Sequence, residues 1–86
     1  MAEIVVNPKD FKVIKITRNE VNNAFGGLGI CDACNCSAFN GYYIAVLNSW
    51  YCEEDYEKFI EAATNYPEDQ EYENKNFDNA KKLLKI

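Results

Sequence analysis

The chain has 86 residues, 48% of them hydrophobic and 14% aromatic, with 14 acids against 9 bases, a net charge of −5 and no histidine. Such a length fits one domain, residues 1–86, which buries only roughly 60–65% of the surface its unfolded chain exposes, so its stability is marginal without a staple. The apolar and aromatic content excludes wholesale disorder, and the missing histidine removes the commonest general base and the usual catalytic zinc ligand.

The first residues, MAEIVVNPKDFKV, carry no positively charged leader before an apolar run. No segment approaches the ~20 apolar residues of a membrane helix. A soluble, cytoplasmic protein is expected. Charge is uneven: residues 53–76 hold nine acids against two lysines, net −7, whereas the first 52 residues balance four acids with four bases. Direct nucleic-acid binding needs a concentrated basic face and is disfavoured. The acids read first as solvated helix faces, and as a surface for a basic partner second.

In chain order, Phe11-Lys12-Val13-Ile14-Lys15-Ile16 is rich in β-branched residues and predicts a strand. Phe25-Gly26-Gly27-Leu28-Gly29 lacks the Lys-Ser/Thr that completes a phosphate-cradling loop, and reads as backbone that turns tightly before Cys31. Asn40-Gly41 stands between CSAF and YYIAVL, and Asn-Gly accepts the positive φ angles of a type I′ turn, so a two-residue hairpin is predicted there. Its register would set Phe39 against Tyr42, Ala38 against Tyr43 and Cys36 against Ala45.

A helix is predicted over about 53–65, with Glu53, Glu54 and Asp55 in its first turn and Tyr56, Phe59, Ile60 and Ala63 on one apolar face. Tyr66-Pro67 should end it. A second helix is predicted over about 74–85, with Phe77, Ala80 and Leu84 inward and Lys81, Lys82 and Lys85 complementing its C-terminal dipole. The fold class is therefore α+β.

Three of the four cysteines fall in Cys31-Asp32-Ala33-Cys34-Asn35-Cys36, and the fourth, Cys52, precedes the first predicted helix. A reducing cytosol disfavours disulfides, and the ring closed by Cys34 and Cys36 would be very small. Redox Cys-x-x-Cys pairs sit at a helix N-terminus after a strand, whereas this pair precedes a hairpin. Four ordinary small buried cysteines form the bland alternative to a metal site.

The order of Cys-x-x-Cys knuckle, hairpin and cysteine at a helix start resembles the treble-clef zinc finger, over residues 29 to about 65. It is also similar to a group of small bacterial proteins with a CDxCN knuckle, a GYYIxVLN-like strand and a second Cys-x-x-Cys on the following helix. The resemblance implies one structural zinc with Cys31 and Cys34 as the knuckle pair and Cys52 as the first helix ligand. In place of the fourth thiolate stands a carboxylate, Asp55. Asp55 is favoured by geometry, since residues three apart share a helix face. Cys36 is favoured by chemistry, since thiolates suit zinc better than carboxylates. Both stay open at this stage.

A site closed by four protein donors leaves no open position for water, so a non-enzymatic zinc-binding protein is expected. Its role would be a protein–protein interaction module, with Tyr43 and Trp50 in the core and Tyr42, Tyr51, Glu57 and Glu61 as candidate partner contacts. The alternative is an acidic inhibitor or nucleic-acid-mimic decoy of phage or mobile-element type, filling a basic groove through residues 53–73. Homodimerisation through the edge of the FKVIKI strand is a further expectation.

Overall fold

The computed structural model describes residues 2–27 and 29–86. Leu28, part of the glycine-rich approach to Cys31, lies outside them. Strands β1 (Glu3–Val5), β2 (Val13–Thr17), β3 (Asn40–Ile44) and β4 (Ser49–Cys52) form one antiparallel sheet in sequential order. Helix α1 (Arg18–Phe25) follows β2, α2 (Glu53–Ala62) follows β4, and a 3₁₀ turn (Pro67–Asp69) leads into α3 (Gln70–Leu84). The domain is α+β, as the sequence predicts.

Alternation along the strands divides the core in two. Ile14, Ile16, Tyr43 and Trp50 point to one face, where Val21, Phe25, Phe77, Ala80 and Leu84 of α1 and α3 cover them. Val13, Ile44, Tyr42 and Tyr51 point to the other, beneath Tyr56, Phe59, Ile60 and Ala63 of α2 and its C-terminal end. The predicted inward faces of both long helices and the core placement of Tyr43 and Trp50 are as expected.

The predicted hairpin is not there. Asn40 and Gly41 lie inside β3, pairing with Thr17 and Ile16 on one side, and Gly41 with Cys52 on the other. The chain reverses instead at residues 45–48, where Asn48 takes φ +52° and its side chain accepts the Tyr43 hydroxyl at 2.7 Å. Tyr42 consequently faces Tyr51, and Tyr43 faces Trp50. Gly41 serves close packing: a Cβ there would run into the Trp50 ring and come 2.6 Å from the Tyr51 carbonyl oxygen.

β1, α1, β4 and the 3₁₀ turn went unpredicted. β1 pairs along β2, from Glu3 against Lys15 to Val5 against Val13. β2 takes up residues 13–16 of the predicted FKVIKI strand and adds Thr17, and it lies between β1 and β3 in the sheet. Helix α1 starts on a capping box: Thr17 Oγ1 accepts the Glu20 N–H at 3.3 Å, and Glu20 Oε1 accepts the Thr17 N–H at 3.0 Å. Gly26, at φ +67°, closes it in the left-handed conformation. Of the other helices, α2 ends at Ala62, before the expected 65, and α3 begins at Gln70, before the expected 74.

Candidate metal centre

The knuckle is a tight loop from 30 to 37. Ile30 and Ser37 form an isolated antiparallel bridge, the Cys31 N–H donates to the Cys36 carbonyl at 2.9 Å, and the Asn35 N–H donates back to the Cys31 carbonyl at 2.9 Å. Asn35 takes φ +61°, a conformation asparagine tolerates better than most residues. The loop brings Cys31 and Cys34 to the end of the sheet where β4 becomes α2.

Asp32 fixes the knuckle to that end. Its N–H donates to the Trp50 carbonyl, and its Oδ2 accepts the Trp50 N–H, both at 3.0 Å. The outer edge of β4 thus gains a two-point substitute for a neighbouring strand. Sequence reasoning missed this residue; the available signal was a short acceptor side chain inside a knuckle that must dock against a backbone edge.

Cys52 and Asp55 are placed by the helix start. Cys52 is the N-cap of α2, in extended conformation, and Asp55 is the third helical residue. N-cap and N3 side chains meet in a capping box; here the same proximity sets Cys52 Sγ 3.3 Å from Asp55 Oδ2. Cys31 Sγ reaches the same oxygen at 3.2 Å, and Cys34 Sγ lies 3.9 Å from Cys52 Sγ. One donor atom from each of Cys31, Cys34, Cys52 and Asp55 lies within 4.8 Å of the others, and this cluster can hold a metal ion. Among the described residues it is the one such cluster of three or more cysteine or carboxylate groups.

Cys36 stands apart from it. Its side chain is exposed, and its thiol donates to the Cys34 carbonyl at 3.7 Å. Of the two residues that competed for the fourth position, the fold gathers Asp55.

Electrostatics inside the cluster follow from one carboxylate among thiols. Hydrogen bonds from Cys34, Cys31 and Cys52 hold the Asp55 carboxyl below its usual range. In return, the Asp55 carboxylate pushes the Cys34 thiol far up. At Cys52 the Asp55 N–H favours the thiolate, yet burial and the Asp55 carboxylate outweigh it and the thiol is raised. A divalent cation held there would remove this conflict, because it would bind the thiolates and the carboxylate together. Cys31 is fully buried, and its Sγ also accepts the Ala33 N–H at 3.4 Å.

The four candidate partner contacts divide by position. Tyr42 and Tyr51 are half-buried beneath α2, Tyr42 stacked on Tyr56 at 4.0 Å and Tyr51 edge-on to Phe59 at 6.3 Å, whereas Glu57 and Glu61 are exposed. Among the described residues no helix is long and apolar enough to cross a membrane. No family model, curated protein or solved structure matches the chain, so the centre is read from its own geometry.

Proposed function

We propose that this protein is a small non-enzymatic zinc-binding protein. One structural Zn²⁺ is held by Cys31, Cys34, Cys52 and Asp55, and the stapled domain serves as a protein-interaction module. The separations in the cluster carry this reading. A tetrahedral zinc, with Zn–S near 2.3 Å and Zn–O near 2.0 Å, sets sulfurs about 3.8 Å apart and sulfur to oxygen about 3.5 Å apart. The Cys34–Cys52 separation is 3.9 Å, and the Cys31–Asp55 and Cys52–Asp55 separations are 3.2 and 3.3 Å. Three soft thiolates select zinc over magnesium or calcium. The sequence of knuckle, β3–β4 hairpin and ligands at the start of α2 supports a treble-clef-like arrangement, with Asp55 in the slot of the last thiolate.

The ion would tie the knuckle, through Cys31 and Cys34, to the start of α2, through Cys52 and Asp55. Metal analysis of protein purified without added zinc should give one zinc per chain. EDTA should lower the melting midpoint by at least about 10 °C, about 2 kcal/mol for a domain of this size. An unchanged melt with EDTA would sink the structural role.

A second reading is favoured by where the acids lie. Of the nine in residues 53–76, Asp55 is committed to the cluster and Glu73 is buried, its Oε2 accepting the Lys12 N–H at 3.0 Å. The other seven are exposed along α2, the 3₁₀ turn and the start of α3. This surface suits a basic partner, as an acidic inhibitor or decoy would require. Capture of a basic protein that weakens steeply between low and high salt supports the decoy; binding indifferent to salt rejects it.

A further inference from the structure

The four cysteines differ sharply in access, and that difference has a chemical consequence. Cys31 is fully buried, Cys52 is half-buried, and Cys34 is exposed on the knuckle loop. The exposed sulfur lies 3.9 Å from Cys52 Sγ. A disulfide needs about 2.04 Å between sulfurs, so the two must close by about 1.9 Å. The knuckle's backbone bonds run through residues 31, 32, 35 and 36, and among the described residues the Cys34 N–H makes no backbone–backbone hydrogen bond, which leaves that residue room to shift. Cys31, by contrast, is fully buried and out of reach of an oxidant in solution. Cys36 is two residues from Cys34, a spacing that closes only a very small, strained ring.

We propose that Cys34 and Cys52 are a peroxide-sensitive thiol pair whose oxidation to a disulfide expels the metal ion. The inference rests on the zinc reading above. The oxidant class is a hydroperoxide. The Cys34 thiolate attacks one peroxide oxygen; an S–O bond forms, the O–O bond breaks, and hydroxide leaves, giving a sulfenic acid. The Cys52 thiolate then attacks the Cys34 sulfur; the S–S bond forms, the S–O bond breaks, and a second hydroxide leaves. Two thiolates and hydrogen peroxide thus become one disulfide and two hydroxides, the two electrons passing from sulfur to oxygen. Cys31 and Asp55 are the only donors left to the ion, too few to retain zinc, which prefers four. The disulfide replaces the ion as the link between the knuckle and α2, and a dithiol reductant reverses the change.

The test uses the full chain loaded with zinc, treated with a several-fold molar excess of hydrogen peroxide. A chromogenic chelator reports free zinc, and mass spectrometry of peptides alkylated without reduction reports the bonded cysteines. Stoichiometric zinc release with a Cys34–Cys52 linkage, reversed by dithiothreitol and unchanged in Cys36→Ser, is the expected result. A chain that holds no zinc before peroxide overturns the metal reading and the release with it. Zinc bound but retained through peroxide treatment overturns the switch alone. Release accompanied by a Cys31–Cys34 or Cys34–Cys36 linkage, by a disulfide between chains, or by sulfinic acid without a disulfide overturns the assigned pair. The linkage is mapped in the unsubstituted protein, so the result does not depend on Cys34→Ser folding.

Discussion

Asp32 and Trp50 exchange two hydrogen bonds: the Asp32 N–H donates to the Trp50 carbonyl, and the Trp50 N–H donates to Asp32 Oδ2. A residue between two cysteines of the knuckle is thereby locked to the strand that ends in the third. The side-chain half of this clamp can be removed without touching a sulfur. Groups that orient ligands typically cost 10–100-fold in metal affinity when lost. Asp32→Ala should therefore still bind one zinc per chain, with affinity lowered by about that factor in competition against a chromogenic chelator. Undiminished affinity would mean that the cluster is positioned without the clamp.

The choice between Asp55 and Cys36 makes an ordered prediction. Cys36 is exposed and outside the cluster, whereas Asp55 Oδ2 touches the sulfurs of Cys31 and Cys52. Cys36→Ser should leave zinc affinity unchanged. Asp55→Ala should weaken it by roughly a hundredfold, about 2.7 kcal/mol. Asp55→Cys should bind more tightly than the unsubstituted chain, since a thiolate suits zinc better than a carboxylate. Isothermal titration in competition with a chelator ranks all three, and equal losses in Cys36→Ser and Asp55→Ala would contradict the assignment.

Asn40, Gly41 and Asn48 separate the two ways of reading the hairpin. A Cβ at Gly41 strikes the Trp50 ring and the Tyr51 carbonyl, an overpacking that costs about 1–3 kcal/mol. Gly41→Ala should lower the melting midpoint accordingly, by about 4–8 °C per kcal/mol. Asn40 is exposed within β3, so Asn40→Ala should stay within about 0.5 kcal/mol. Asn48→Ala should cost about 1–2 kcal/mol, because alanine resists the positive φ at that position and the Tyr43 hydroxyl loses its acceptor. Thermal denaturation of the three variants checks the order.

The same residues explain what the sequence could and could not disclose. The long helices were legible because their apolar positions recur at helical spacing and pack where that spacing places them. The metal cluster was legible because Cys-x-x-Cys and a cysteine before an acidic helix start are local signals. Asn-Gly misled because the sequence does not distinguish a glycine needed for a turn from one needed beneath an aromatic ring; that depends on which strand lies alongside. The true turn, Ala45-Val46-Leu47-Asn48, is mostly apolar and carries a single turn-forming residue. β1 has only three paired residues and little pattern of its own. Helix α1 was missed although Thr17-Arg18-Asn19-Glu20 is a capping-box signature followed by Gly26, a pattern that should outweigh the weak apolar periodicity of Asn22-Asn23.

The hydrogen bonds between the thiols and the Asp55 carboxylate predict opposite pH behaviour for the metal-free and zinc-loaded chains. Without metal, the folded Cys34 and Cys52 thiols are raised above their unfolded value near 8.5, and the folded Asp55 carboxyl is lowered below its unfolded value near 3.9. A raised thiol contributes stability that is whole below about pH 8.5 and is lost as pH climbs toward the folded values. A lowered carboxyl contributes stability that is whole above about pH 4 and is lost as pH falls through its folded value. The EDTA-treated chain should therefore melt at a constant temperature across neutral pH and progressively lower above about pH 8.5. With zinc bound, the thiols are already thiolates, so the alkaline decline should vanish. The acid side should steepen instead, because protons compete with the ion for every donor. Melting curves of both forms from acid to alkaline pH make the comparison, and an alkaline decline shared equally by the two would show that these thiols do not carry it.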